Sequence, residues 1–149
     1  MGLSTDKIFF NILRSNNAFM ETIGGRIYNT VIGKPEEEEL NEPVPYVIIM
    51  FAGMKNNEGT KDSRYEGPTD TVNIEIELAA NDQDELTDIA KNIRRIIYQA
   101  MINKEVEGTQ LIEDYTFSTK DKTHDYIKPC EAIILVYQCE VTNTLRTYE

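Results

Sequence analysis

The sequence has no tryptophan, one histidine and two cysteines, and none of its apolar runs approaches the length of a membrane span. A helix that crosses a bilayer needs about 20 consecutive apolar residues, so we expect no membrane partner. The first ten residues lack a basic region followed by an apolar core, which argues against a signal peptide. With 149 residues, 40% of them hydrophobic, the chain fits one domain over 1–149 that folds without disulfide or metal.

Positive charge is also scarce. The chain has 15 Lys and Arg residues and 26 Asp and Glu residues, which gives a net charge of −11. Such a field repels nucleic acid and acidic membranes at long range, so we expect no sequence-specific nucleic acid binding. A negative wall past which DNA slides without sticking is compatible with this charge, and so is simple solubility.

Groups that could carry chemistry are few. His124 lies in a polar, turn-like stretch, where a solvent-exposed side chain is expected. Cys130 and Cys139 are nine residues apart on a predicted strand and therefore point to opposite faces, which favours free thiols. The acidic run NDQDELTD suits the start of a helix better than a calcium site, and no phosphate-binding or nucleophile motif occurs. We predict a non-enzyme with no catalytic, cofactor-binding or metal-ligating residues.

Two helices are predicted. Residues 4–23 carry apolar side chains at helical spacing, with a break or kink at Asn16-Asn17 and an end at Gly24-Gly25. The second helix starts after Asp82, which forms a capping-box pattern with Glu85 three residues later. Its apolar stripe consists of Leu86, Ile89, Ile93, Ile96, Ile97, Ala100 and Met101.

Four strands are predicted, and the short stretch RIYNTVIG is compatible with a fifth. Residues 46–52 form a continuous apolar run, typical of a strand covered on both faces. The strand at 71–81 alternates strictly, and the later strands are placed at 109–119 and 130–142. The class is α+β: a mostly antiparallel sheet of about four strands with two main helices on one face, in the order α-β-β-α-β-β.

The alternation at 71–81 assigns its side chains to two faces. One face carries Val72, Ile74, Ile76 and Leu78, which we assign to the core. The opposite face carries Asn73, Glu75 and Glu77, which we expect to meet water or a partner.

Two polar segments interrupt this pattern. KPEEEELNEPVP combines three prolines with a block of acids and is typical of an exposed loop. The segment GMKNNEGTKDSRYEGPTD, at 53–70, is far longer than an ordinary hairpin connection, which has about two to five residues. Composition assigns it no chemistry.

The order of elements resembles the tail completion or tail terminator proteins of long-tailed bacteriophages, a family of minor tail proteins that join head and tail. The likeness rests on Gly25-Arg26-Ile27-Tyr28, on Pro45-Tyr46 leading into a strand, and on the alternating strand followed at once by the helix at 83–102. It covers residues 5–102, and the acidic loop at 34–42 has no counterpart in it.

The resemblance implies a structural protein of the virion tail, made in the bacterial cytoplasm. Such proteins form a ring, commonly a hexamer, that caps the tail tube, ends tube polymerisation and meets the head–tail connector protein. The implied partners are therefore further copies of the chain, the tail tube protein and the connector. DNA passes through the ring, so an acidic inner wall suits this role.

Within that reading, the 53–70 segment becomes an assembly candidate through Lys55, Lys61, Arg64 and Tyr65. Glu75 and Glu77 become candidates for the lumen wall. The alternative reading is a small non-enzymatic α+β binding or adaptor module that acts as a monomer. Oligomeric state separates the two readings.

Overall fold

The computed structural model describes residues 4–31, 44–57, 67–121 and 131–143. These residues form three α-helices and five strands: α1 Thr5–Arg14, α2 Asn17–Thr22, β1 Ile27–Val31, β2 Tyr46–Asn57, β3 Thr69–Ala80, α3 Gln83–Asn103, β4 Ile112–Asp121 and β5 Glu131–Thr142. The predicted α+β class is confirmed. The sheet has five strands rather than about four, because the RIYNTVIG stretch does form β1 along β2.

The first predicted helix is divided at the asparagine pair. α1 ends at Arg14, and the Asn16 side chain accepts a hydrogen bond from the Phe19 N–H at 2.9 Å, which caps the start of α2. An asparagine in this position satisfies a backbone donor that the helix itself leaves unpaired. The chain then leaves the helix through Gly24 and Gly25, whose φ angles of 61° and 74° suit glycine.

The sheet has the strand order β1-β2-β3-β5-β4. β1 pairs with β2 in parallel, and the other three pairings are antiparallel. β1 and β4 are therefore the two edges. The motifs behind the family resemblance meet at the β1 edge, where Arg26 Nε donates to the Pro45 carbonyl at 2.9 Å.

The main core lies between one face of the sheet and the helices. The alternating residues of β3 on this face, Val72, Ile74, Ile76 and Leu78, all have zero exposure, as predicted. They pack with the apolar stripe of α3, where Ile93 and Ile97 are also fully buried. Each such side chain contributes about 1.5–3 kcal/mol when removed from water, so this face supplies most of the folding energy.

Helix α3 begins and ends as its sequence suggests. The Asp82 carboxylate accepts from the Glu85 N–H at 2.8 Å, so the predicted N-cap is confirmed. At the other end Lys104 adopts a left-handed conformation, with φ 57°. Its Nζ donates to the carbonyls of Thr109 and Ile112 at 3.0 and 2.7 Å, which ties the helix end to the start of β4.

A smaller cluster lies on the sheet face away from the helices. It consists of Tyr46, Ile48, Met50 and Ala79, all buried. β2 is thus covered on both faces, as its continuous apolar run predicts. The same face buries Glu77, which was expected to meet water or a partner and is 1% exposed in the single chain.

Two strand boundaries differ from the sequence prediction. β2 continues to Asn57 and β3 starts at Thr69, so both ends of the predicted loop at 53–70 belong to the sheet. The predicted strand at 109–119 starts only at Ile112, and its register shifts between Ile112 and Asp114. A bulge of this kind adds one residue to one strand, so Ile112 and Tyr115 face the core together despite their odd spacing.

Candidate assembly surfaces

The assembly candidates of the 53–70 segment fall partly within the described residues. Lys55 lies in β2, is exposed and pairs in register with Thr71 of β3. Cross-strand partners share a face, so Lys55 belongs to the face away from the helices. Lys61, Arg64 and Tyr65 lie outside the described residues.

Asparagine side chains close the base of this segment. The Asn56 amide donates to the carbonyls of Gly67 and Thr69, both at 3.2 Å, and to Asp70 Oδ1 at 2.9 Å. Its own Oδ1 accepts from the Gly67 N–H at 2.7 Å. Asn57 adds bonds to the hydroxyls of Thr69 and Thr71. These contacts hold residues 57 and 67 in place whatever the intervening chain does.

The two lumen candidates occupy different environments. Glu75 Oε2 accepts a hydrogen bond from Lys120 Nζ at 2.8 Å, in an ion pair whose side chains are 17% and 51% exposed. The lysine reaches it from edge strand β4 across β5. Glu77, two residues on, has its Oε2 3.4 Å from the Tyr46 hydroxyl, which donates to it within the small cluster. Glu75 therefore reaches the surface, and Glu77 does not.

A groove runs between α3 and the edge strand β4 on the helical side of the molecule. Its two adjoining parts have volumes of about 240 and 330 Å³ and share Lys91, Arg94 and Phe117 as lining residues. Arg95, Tyr98 and Tyr115 complete the second part. Tyr98 is 57% exposed and Ile102, one turn further along α3, is 60% exposed. The groove thus combines three cations with accessible aromatic and aliphatic surface.

The cations of this groove have no acidic partner in the described part of the chain. The Arg94 guanidinium carbon lies 4.2 Å from the centroid of the Phe117 ring, a cation–π contact. Arg95 donates to the Asn92 side chain, and the Lys91 side chain makes no hydrogen bond or ion pair with any described residue. In a chain of net charge −11, this is a local positive surface.

A cluster of aromatic rings lies beneath these cations. Tyr137 has its ring 5.3 Å from that of Phe9, 5.6 Å from Tyr115 and 5.1 Å from Phe117. Burial, with a smaller effect of Tyr115, raises the pKa of Tyr137 far above its usual value. Burial, with a smaller effect of Tyr98, likewise raises the pKa of Tyr115. The positive charge of nearby Arg94 lowers the pKa of both tyrosines, but by less than burial raises it. Both tyrosines are therefore neutral at ordinary pH.

The groove was missed from sequence although its cations were visible. Lys91, Arg94 and Arg95 stand next to the buried stripe in the later part of the helix, where the sequence alone indicates no more than cations that complement the helix dipole. The missing information was that β4, far along the chain, lies beside this side of α3.

The described residues hold few features of other kinds of site. Among residues 4–31, 44–57, 67–121 and 131–143, no group of three or more His, Cys, Asp or Glu side chains could hold a metal ion. In the same residues no helix is both long and apolar enough to cross a membrane. Cys139 is buried as a free thiol, whereas His124 and Cys130 lie outside the described residues.

Neither a family model nor a curated protein sequence matches the chain. Solved structures, in contrast, are similar to it. A chain in the virion of a native gene transfer agent particle is similar over 93% of this chain and 94% of its own, with a TM-score of 0.56 and 13% identity. The bacteriophage SPP1 gp17 protein matches over 92% and 89%, with 16% identity, but its TM-score of 0.40 is too low to establish a shared fold. The chain thus shares the fold of a component of the gene transfer agent virion.

Proposed function

We propose that this protein is a non-enzymatic structural component of a phage-type tail. In this role it assembles with itself into a ring, of six copies in the form typical of the family it resembles, which caps the tail tube and joins it to the head. The observation that carries the proposal is the likeness of fold, over nearly the whole chain, to a chain of a gene transfer agent virion. The motifs at Arg26 and Pro45, which share a hydrogen bond, support the same assignment.

The sheet offers surfaces for a ring. Both edge strands, β1 and β4, lack a second neighbouring strand among the described residues. A ring requires a head-to-tail contact in which two different surfaces of the chain meet. The β4 edge with its cationic groove is available for that contact, and the face that carries Lys55 is available for a further contact, such as one with the tube. Lys61, Arg64 and Tyr65 remain proposed members of that second surface.

The acidic character of the chain suits a channel for DNA. A negative wall keeps the phosphate backbone from binding as it passes. We assign Glu75 to that wall as the testable position, because its carboxylate reaches the surface. Glu77 is buried beside Tyr46 of the small cluster, so its replacement would disturb the fold and does not test the wall cleanly.

The decisive experiment measures assembly and tube length together. The purified chain is mixed with polymerising tail tube protein from the same genome, and subunit number is followed by light scattering while tubes are measured by electron microscopy. We expect oligomeric rings, alone or at tube ends, and tubes shorter than those formed without the protein. A strict monomer that leaves tube length unchanged would overturn the proposal. A monomer that binds tube or connector protein would instead support the adaptor role.

A further inference from the structure

We propose that the groove between α3 and β4 is a docking site for the acidic segment Glu36-Glu37-Glu38-Glu39-Leu40 of a second copy of this chain. The inference rests on the proposed self-assembly and names the two surfaces that meet. The groove supplies Lys91, Arg94 and Arg95 to the contact, with Tyr98 beside them.

Charge complementarity is the first argument. Lys91 and Arg95 are exposed, and no acid pairs with them in the described part of the chain. Four consecutive glutamates occur at one place in the sequence, 36–39. Long-range repulsion between copies of charge −11 opposes association in general, so a local contact of opposite charge would both permit assembly and fix its geometry.

Length and apolar surface match as well. From Lys91 to Ile102 the helix advances about 16 Å at 1.5 Å per residue. An extended peptide of five residues spans about 16 Å. The glutamates can therefore lie along the cations while Leu40 reaches Tyr98 at the end of the groove and Ile102, an exposed side chain one turn further along α3.

The position of the segment in the chain favours a second copy. Residues 31 and 44 flank it at the β1 and β2 edge, whereas the groove lies at the β4 edge. To dock on its own chain, the segment would have to run from β1 to β4, across four strand spacings, and return to β2, across three. Together these spacings cover about 33 Å. The two ends also differ by seven residues along the strands, about 23 Å. The thirteen residue steps from 31 to 44 reach at most about 45 Å. Docking within one chain would therefore need an almost straight segment, whereas docking on a neighbouring copy sets no such requirement.

The groove itself is tested with a peptide of residues 34–43, KPEEEELNEP. We expect saturable binding to the wild-type chain that weakens with salt, and binding at least about tenfold weaker for Lys91→Glu with Arg95→Glu. This pair leaves the Arg94–Phe117 contact intact. The control is Lys7→Glu with Arg14→Glu, the same charge change at exposed positions of α1. It removes the contact of Arg14 with the Phe10 ring at 5.7 Å, so it disturbs the fold at least as much as the groove pair does. Equal binding to all three proteins would overturn the docking site.

Assembly is tested by exchanging charges. We expect Lys91→Glu with Arg95→Glu, and separately Glu37→Lys with Glu38→Lys, each to lose self-association with tube protein present. Mixing the two variants should restore it, because each supplies a surface that fits the other. The proposal would be overturned if mixing the two variants failed to restore assembly while a single chain with all four changes did assemble. That result would place the contact within one chain.

The two proposals fail in different ways. If wild type and both variants assemble equally, the docking site is wrong and the ring remains supported. If the wild-type chain stays monomeric with and without tube protein, the ring proposal fails, and the docking site between copies falls with it. Thermal unfolding followed by circular dichroism should show every variant within a few degrees of wild type, since all the changed residues of α1 and α3 are exposed.

Discussion

The Tyr46 hydroxyl donates a hydrogen bond to Oε2 of Glu77 at 3.4 Å, and exposure is 0% for the tyrosine and 1% for the glutamate. A carboxylate thus lies inside the apolar cluster on the face away from the helices. Burial of a charged group is costly unless it is compensated. The pair therefore belongs to the packing of the sheet, and any role of Glu77 in assembly must be separated from its role in stability.

Reversal of charge at Glu77 should strongly lower the free energy of unfolding. Glu77→Lys places a cation where the Tyr46 hydroxyl donates, and an uncompensated buried charge costs about 3–5 kcal/mol. The matched control is Glu75→Lys, which loses an accessible ion pair and should cost no more than about 1 kcal/mol. Urea unfolding followed by circular dichroism measures both. Similar losses for the two variants would contradict the buried environment of Glu77.

The cation–π contact of Arg94 predicts a small stability effect confined to one arginine. Arg94→Ala removes the contact with the Phe117 ring at 4.2 Å, and such contacts contribute about 0.5–1 kcal/mol at accessible sites. Arg95→Ala, on the same helix, removes no ring contact and should change the free energy of unfolding by less than about 0.5 kcal/mol. A larger loss for Arg95→Ala than for Arg94→Ala would refute this assignment.

Removal of a single hydroxyl should stabilise the protein. The Tyr137 hydroxyl is buried and has no hydrogen-bond partner among the described residues, whereas its ring packs with three other aromatic rings. An unsatisfied buried polar group costs about 1–3 kcal/mol. We expect Tyr137→Phe to raise the free energy of unfolding by about 1 kcal/mol, measured by urea unfolding. A loss of stability would show that the hydroxyl has a partner in solution.

The sequence predicted best those elements whose signals are local. Helix α3 has its N-cap, its stripe and its end within one continuous stretch, so its limits and buried face were foreseen. The core face of β3 follows from simple alternation. These features depend on neighbours in the chain and are therefore visible without a structure.

The features that were missed depend on residues distant in sequence. β2 extends through Asn56 because its amide pairs with residues 67–70, which composition could not reveal. Glu77 belongs to the polar side of the alternating pattern of β3, yet it is buried beside Tyr46 and Ile48 of β2. The pattern of β3 alone does not show these neighbours. The groove needs β4 beside α3, a contact between elements that other segments separate.

Alkaline pH should weaken the fold through Cys139. Burial raises the pKa of this thiol from 9.0 to about 12. The unfolded chain loses the proton near pH 9 while the folded chain keeps it, so stability is full below pH 9 and is lost as pH rises to about 12. The slope approaches about 1.4 kcal/mol per pH unit. Unfolding at pH 8.5–10.5 should show a shallower decline for Cys139→Ala than for wild type, and equal slopes would contradict the shift.

Replacement of residues 58–66 by Gly-Ser-Gly-Ser separates the assembly role of the 53–70 segment from its folding role. Cuts that start at 55 would remove Asn56 and Asn57, whose side chains bind Gly67, Thr69 and Asp70. The shorter replacement keeps these contacts, and because loop closure depends weakly on length, we expect a stability change under about 1 kcal/mol.

The replacement removes Lys61, Arg64 and Tyr65 and leaves Lys55 in β2. We expect normal unfolding in urea together with reduced ring formation or reduced shortening of tail tubes. Asn56→Ala is the matched comparison: it keeps those three side chains but loses the bonds at the base, so its stability should fall while the segment stays present. If the replaced protein folds and caps tubes like wild type, the segment is only a connection and the assembly surface lies elsewhere.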